Sequence, residues 1–170
     1  MIRRTIIAVI LFSISIVSNA YTISHDGKEF IKKYEQCSLT AYWDSNGYSI
    51  GWGHHGSDVK KNMKISKAKA NQLFDEDIKA IEAAANRLLK PFKYNFSQSF
   101  FDGVCDLVYN CGESGTKNSE FYRRLKACRI KNGVINKNDL NFTIAAVKTM
   151  RISAPGHVAR RYEIHKKMLN

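Results

Sequence analysis

The chain is short of acid: 15 aspartates and glutamates stand against 27 lysines and arginines in 170 residues, a formal net charge of +12 at pH 7. Such a surplus suggests an anionic partner, with cell-wall polymer, lipid headgroups and extracellular nucleic acid as candidates, or else no more than a well-solvated surface. Charge alone does not choose among these. No two cysteines have C-x-x-C spacing and the five histidines are scattered, which excludes the usual zinc-site patterns. Beyond the first twenty residues no segment has the roughly 20 apolar residues that a membrane-spanning helix needs. Internal repeats and low-complexity linkers are also missing, so neither a solenoid nor a string of modules is expected.

The amino terminus has the form of a secretory leader. Met1, Ile2, Arg3 and Arg4 precede an apolar run over residues 5–17 and the small-residue ending Ser18, Asn19, Ala20. Cleavage is expected after Ala20, giving residues 1–20 as signal peptide and 21–170 as one exported domain, periplasmic or extracellular. The alternative is a retained anchor, because short apolar runs with basic flanks can also stay in the membrane. Cleavage removes Arg3 and Arg4 and no acid, so the net charge falls from +12 to +10. About 150 residues remain, enough for a real core.

All four cysteines, Cys37, Cys105, Cys111 and Cys128, lie in the mature part, where export would permit disulfides and four cysteines allow three pairings. Cys105 and Cys111 share an expected helix at a spacing that points them to different faces, so they are not expected to bridge each other. Free buried thiols are the alternative to bridges.

Phe30, Ile31 and Tyr34 recur at helical spacing in a segment starting near residues 24–26 and ending around Glu35. Residues 39–43 and 48–52 are rich in aromatic and β-favouring types, and Asp44, Ser45, Asn46 and Gly47 between them supply turn chemistry, which predicts a β-hairpin. Ser66 is placed to cap a long helix with Ala70, Leu73, Phe74, Ile78, Ile81 and Ala85 on one face, ending before Pro91. A second long helix follows from Ser97, carrying Phe100, Phe101, Val104, Leu107 and Val108, with Gly112 as its C-cap. Shorter helices are expected at 118–127, 139–150 and 157–168. The polar stretch 128–138 reads as a mobile loop. The layout is a helix, a small sheet, then an all-helical remainder.

Two carboxylates bracket the hairpin, Glu35 at a helix end and Asp44 at the turn. A glycosidase needs such a pair in different protonation states, one acid for the leaving oxygen and one carboxylate on the opposite face of the sugar. Glu35, among apolar side chains at a helix carboxyl end, is expected to be held toward its neutral form, and Asp44, at a polar turn, to stay ionised. As a bare pair of acids this is weak, since a solvated Glu and a turn-forming Asp fit as well. The surroundings reverse that. The stretch Glu35, Leu39-Thr40-Ala41-Tyr42, Asp44 and Ser49-Ile50-Gly51-Trp52-Gly53-His54 resembles the signature of phage-type lysozymes, glycoside hydrolase family 24: a Glu, L-x-A-Y, an Asp and T-I-G-Y-G-H. Ile65-Ser66 with Ala68, Ala70, Leu73-Phe74 and Asp77 is similar to the family's next helix. Tyr109-Asn110-Cys111-Gly112 resembles its F-N-x-G, and Gly156-His157-Val158-Ala159-Arg160-Arg161-Tyr162-Glu163 its G-L-x-x-R-R-x-x-E.

The resemblance implies a lysozyme-like α+β fold, with a cleft between a small lobe carrying the hairpin sheet and a larger all-helical lobe. It implies hydrolysis of the β-1,4 bond between N-acetylmuramic acid and N-acetylglucosamine, with Glu35 as acid, Asp44 as the carboxylate that handles water, and Ser49 as the hydroxyl that helps position that water. Asn110 is expected either to contact substrate or merely to cap its turn. Peptidoglycan glycan strands are the implied partner of a monomer, with no nucleic acid, no lasting membrane insertion and no metal or organic cofactor. The family pattern also pairs His54 with Asp77. Two departures stand out. Only four residues separate Asp44 from Ser49 where the family usually has five, and Ser49 replaces a threonine, losing the methyl that restricts its rotamer. Gln36 and Ser38 replace the usual Gly and Arg.

Trp43 and Trp52 are expected to pack within the hairpin, with service as sugar platforms the alternative. Arg160 and Arg161 are expected to form structural ion pairs, one of which could approach Glu35. The competing class is a non-catalytic binder, either a wall-recognition protein on a lysozyme scaffold or a cationic membrane-disrupting protein. Retention of both acids argues against the first, and the lack of a basic amphipathic helix against the second.

Overall fold

The computed structural model describes residues 20–44, 46–131, 134–149 and 157–169. All of the expected leader except Ala20 lies outside this set, as does the Arg161 side chain. Each of the first five helices starts at a polar side chain that satisfies amide groups left open by the first turn. Ser24 accepts from the Gly27 N–H to open α1 (His25–Glu35), and Ser66 from that of Lys69 to open α2 (Lys67–Leu89). Ser97 does the same through Phe100 for α3 (Gln98–Lys117), and Ser119 through Tyr122 for α4 (Glu120–Ala127). Asn136 caps α5 (Lys137–Ala145), which tightens into a 3-10 turn over Ala146–Thr149, and α6 (His157–Leu169) follows. All six predicted helices are present, with the fifth starting earlier than expected because Asn136 is its cap.

Two expectations about the second half need refinement. Gly112, at φ 69° and ψ 170°, closes the long run of α3 as expected, but a second short helical run follows at once to Lys117, so α3 is two helices joined at a kink. The Thr116 hydroxyl donates to the Gly112 carbonyl at 2.8 Å across that join. Residues 128–138 are not simply a loop, for β4 (Ile130–Lys131) pairs antiparallel with β5 (Val134–Ile135). Ile130 lies opposite Ile135, and both pack on the helical core, which anchors a ladder that the polar composition concealed.

The main sheet has three antiparallel strands in order β1 (Ser38–Asp44), β2 (Gly47–Gly51), β3 (His54–His55). Tyr42 lies opposite Ser49, Trp43 opposite Tyr48 and Asp44 opposite Gly47, while on the other side of β2 Ser49 faces His55 and Ile50 faces His54. Because strand side chains alternate, Tyr42, Asp44, Ser49 and His55 share one face of the sheet, and Ile50 and His54 take the other, toward α2. The alternation thus separates chemistry from packing.

There are two apolar cores. A small one gathers Ile50, Val59 and Leu73, with Ala41, Tyr48, Met63 and Ile65 against it. A large one is centred on α3, whose Phe100, Phe101, Val104, Cys105 and Leu107 are almost wholly buried. Removing each such large side chain from water stabilises the fold by about 1.5–3 kcal/mol. α2 supplies residues to both cores, so it joins the sheet to the helices. A cavity of ≈ 200 Å³ among Phe96, Phe100, Leu140, Ile144 and Met168 lies in the helical part, and neither Glu35 nor Asp44 lines it. Among the described residues no helix is long and apolar enough to cross a membrane.

Candidate active site

Glu35 is the last residue of α1, after which Gln36, with φ 49°, turns the chain sharply into β1. Its setting is a charge cluster and not the apolar pocket expected at a helix end. Glu35 Oε1 accepts from Arg160 Nη1 at 2.5 Å, and the same guanidinium donates to Asp106 from Nε at 3.1 Å and from Nη2 at 2.5 Å. Three helices, α1, α3 and α6, therefore meet at one cation. The Arg160 and Asp106 side chains are 1% exposed and Glu35 is 20% exposed, so Glu35 is the member of the cluster that reaches outward. Burial pushes the Asp106 carboxyl upward from its ordinary range, and Arg160 only partly offsets this.

The turn after β2 closes over Glu35. Gly53 has φ +102°, and a Cβ there would stand 3.3 Å from Glu35 Oε2, so the backbone approaches the acid as only glycine permits. Beside it Tyr109 donates to the Trp52 carbonyl at 2.6 Å. Burial first, then the charge of Glu35, drives the Tyr109 phenol far above its ordinary value, so it stays a neutral donor.

Asp44 closes β1 and lies opposite Gly47, the first residue of β2. The turn, though short, brings Asp44 and Ser49 together: Ser49 Oγ, wholly buried, lies 3.5 Å from Asp44 Oδ2 and 3.1 Å from His55 Nδ1. Tyr42 joins them across the strand. Its phenol is raised by burial and then by the charges of Asp44 and Glu35, while a hydrogen bond with Ser49 acts the other way.

On the opposite face His54 Nδ1 lies 3.0 Å from both Asp77 oxygens and Nε2 lies 3.1 Å from Asp58. Burial works against the imidazolium, but the bonds to Asp77 and Asp58 outweigh it, and the His54 pKa is raised. The expected pair is present, with Asp58 as a second partner. Asp77 itself is raised, chiefly by burial, while exposed Asp58 is lowered by His54. Asp77 is therefore the partner whose burial costs something.

The family model described as phage lysozyme matches residues 32–163, a span from just before Glu35 to just beyond Arg160. The chain belongs to the phage lysozyme family. Over 108 residues it is 34% identical to an endolysin of Bacillus phage B103, covering 62% of this chain and 40% of that one. It is 33% identical over 108 residues to the endolysin of Salmonella phage P22, covering 61% of this chain and 72% of that one. It therefore spans well under half the length of the Bacillus phage endolysin. Among solved structures, the endolysin from Escherichia coli O157:H7 phage FAHEc1 superposes with a TM-score of 0.68 at 29% identity, over 88% of this chain and 94% of that one. The α+β class and the lysozyme-like architecture are those of the phage lysozyme family.

Around the site of this phage lysozyme family member, other expectations meet mixed fates. Trp52 packs against the large core, donates from Nε1 to Asn71 at 2.8 Å and carries the Lys67 ammonium 3.7 Å above its ring. Trp43 does not pack as expected. It is 63% exposed, and among the described aromatic rings it meets only the edge of Tyr48, one residue from the end of β1. Asn110 turns its amide hydrogens on Asp106, at 2.7 Å to the carbonyl and 3.3 Å to Oδ2, so it braces the cluster from within α3. All four cysteines are unpaired. Among the described residues no group of three histidine, cysteine, aspartate or glutamate side chains is gathered as a metal site.

Three residues with a place in this geometry were missed in the sequence. Asp106 interrupts the apolar face of α3, and an acid buried there requires a cation, a signal that could have led to Arg160. Tyr42 stood inside a recognised motif with no role attached. His55 follows His54 directly and gave no signal beyond that.

Proposed function

We propose that this protein is a muramidase that hydrolyses the β-1,4 bond between N-acetylmuramic acid and N-acetylglucosamine in peptidoglycan. The observation that carries the reading is the phage lysozyme family match over residues 32–163, a span that holds both Glu35 at its helix end and Asp44 on the hairpin. The two different carboxylate settings support it.

In this reading Glu35 protonates the departing sugar oxygen. Within the cluster of Glu35, Arg160 and Asp106, Glu35 is the carboxylate exposed enough to meet the sugar, whereas Asp106 is sealed behind the guanidinium. Asp44 takes a proton from water on the opposite face of the sugar, and the Ser49 hydroxyl helps to hold that water. Direct attack by water inverts the anomeric centre. Asn110, its amide hydrogens engaged by Asp106, would accept from a substrate hydroxyl or N-acetyl N–H through its carbonyl oxygen.

Export by a cleaved leader belongs to the same reading. Just after the expected cleavage point, the Tyr21 N–H donates to Asn86 at 2.9 Å and the Tyr21 ring stacks on Phe101 at 5.1 Å, contacts that support a mature chain beginning there. Mass spectrometry of exported protein should find Tyr21 first, and the catalytic domain 21–170 should run as a monomer in sedimentation. An intact Met1 terminus in a membrane fraction would favour an anchor instead.

The activity is tested on purified peptidoglycan. Glu35→Gln cannot deliver a proton, and turnover should fall by about 10²–10⁴ while glycan binding survives. Asp44→Asn should cost more than Ser49→Ala, which removes one hydrogen bond and no charge. NMR of the anomer formed first should show the α product. A β product, or undiminished turnover in Asp44→Asn, would sink this division of roles.

A further inference from the structure

A serine hydroxyl can occupy three staggered positions, and a single Oγ proton cannot serve every acceptor around it. Ser49 Oγ is wholly buried among three polar groups: the Tyr42 phenol, Asp44 Oδ2 at 3.5 Å and His55 Nδ1 at 3.1 Å. The contact to Asp44 is at the outer limit of hydrogen-bond length and cannot by itself fix the rotamer. That to His55 is well within it.

We propose that His55 is a positioning residue that holds the Ser49 hydroxyl toward Asp44. The inference rests on the muramidase reading above, in which that hydroxyl helps to hold the attacking water.

Three features of the hairpin converge on this contact. Strand register sets His55 directly across from Ser49 on the face that carries Asp44. Its neighbour His54, on the opposite face, is engaged by Asp77 and Asp58, so the two adjacent histidines serve different faces. The His55 ring lies against Gly47 so closely that a Cβ there would stand 2.6 Å from Cε1 and 3.1 Å from Nε2. The turn glycine thus makes the space in which the imidazole reaches Ser49. The bond pins the oxygen whichever atom carries the proton, because Nδ1 can accept from the hydroxyl or donate to it.

The test uses the full chain on purified peptidoglycan, with kcat and KM measured by release of reducing ends and folding followed by thermal unfolding. His55→Ala should lower kcat about three- to ten-fold, the worth of one positioning hydrogen bond, with KM and the unfolding midpoint little changed. Gly47→Ala should reproduce that loss by displacing the ring. Rescue should follow from His55→Asn, which keeps a polar atom near the Nδ1 position, or from adding Ser49→Thr to His55→Ala, since a β-branched side chain restricts its own rotamer. A His55→Ala enzyme with wild-type kcat overturns the inference, as does a loss that neither rescue restores. A wild-type chain that releases no reducing ends overturns the muramidase reading itself, a failure visible before any His55 variant is made.

Discussion

Glu35 and Asp44 stand at the two ends of one short segment, yet their surroundings are built on different scales. Glu35 is held by Arg160, 125 positions away in sequence, and through it by Asp106, so its setting needs α1, α3 and α6 in place together. Asp44 finds Ser49 five positions on and Ser49 finds His55 six positions on, all within one small sheet. The acid's environment is a property of the whole fold. The other carboxylate's environment is a property of a hairpin.

The largest effect should come from breaking the global half. Arg160→Met leaves two carboxylates facing one another without their cation, one of them wholly buried, and should destabilise the protein by about 3–5 kcal/mol. At about 2–4 °C per kcal/mol for a chain of this size, the midpoint of thermal unfolding should drop by roughly 10 °C. Adding Asp106→Leu should recover part of it. An Arg160→Met protein as stable as the parent would show that Glu35's setting is local after all.

A smaller effect tests the join between the sheet and α2. The His54 pKa is raised, so its pairing stabilises the fold below the ordinary histidine value of about 6.5 and is lost as pH rises through the folded value. Asp77→Asn should therefore cost about 1–2 kcal/mol at pH 6 and clearly less at pH 9, read from chemical denaturation at the two pH values. Equal costs at both would remove the charged pair from the account.

The smallest concerns the free end of the hairpin. With Trp43 mostly exposed, Trp43→Ser should change stability by no more than about 0.5 kcal/mol. A larger loss in the same denaturation measurement would restore the packing role that the structure denies it.

The same division of scale governs what could be read in the sequence. Helix starts were legible where Ser24, Ser66 and Ser97 act on amides three residues away, though not at Asn136, and the hairpin was legible because its turn chemistry lies between two aromatic-rich runs. Glu35 and Asp44 were legible as a motif, not as a geometry. Asp106 was not, since its meaning depends on a guanidinium arriving from α6, and no local periodicity encodes that. Trp43 failed for a related reason: composition says that an aromatic prefers cover, but only the position of α2 decides whether cover is available. The β4–β5 ladder was hidden because two isoleucines in a polar stretch carry too little pattern to stand out.

The distance in sequence between Glu35 and Arg160 also orders events in time. As the chain leaves the ribosome, the hairpin with Asp44 and Ser49 is complete long before α6 exists. Glu35 acquires its guanidinium only once α6 has docked, closing a loop of 125 positions. A chain that stops short of α6 thus holds Asp44 and Ser49 in their sheet while Glu35 still lacks its cation.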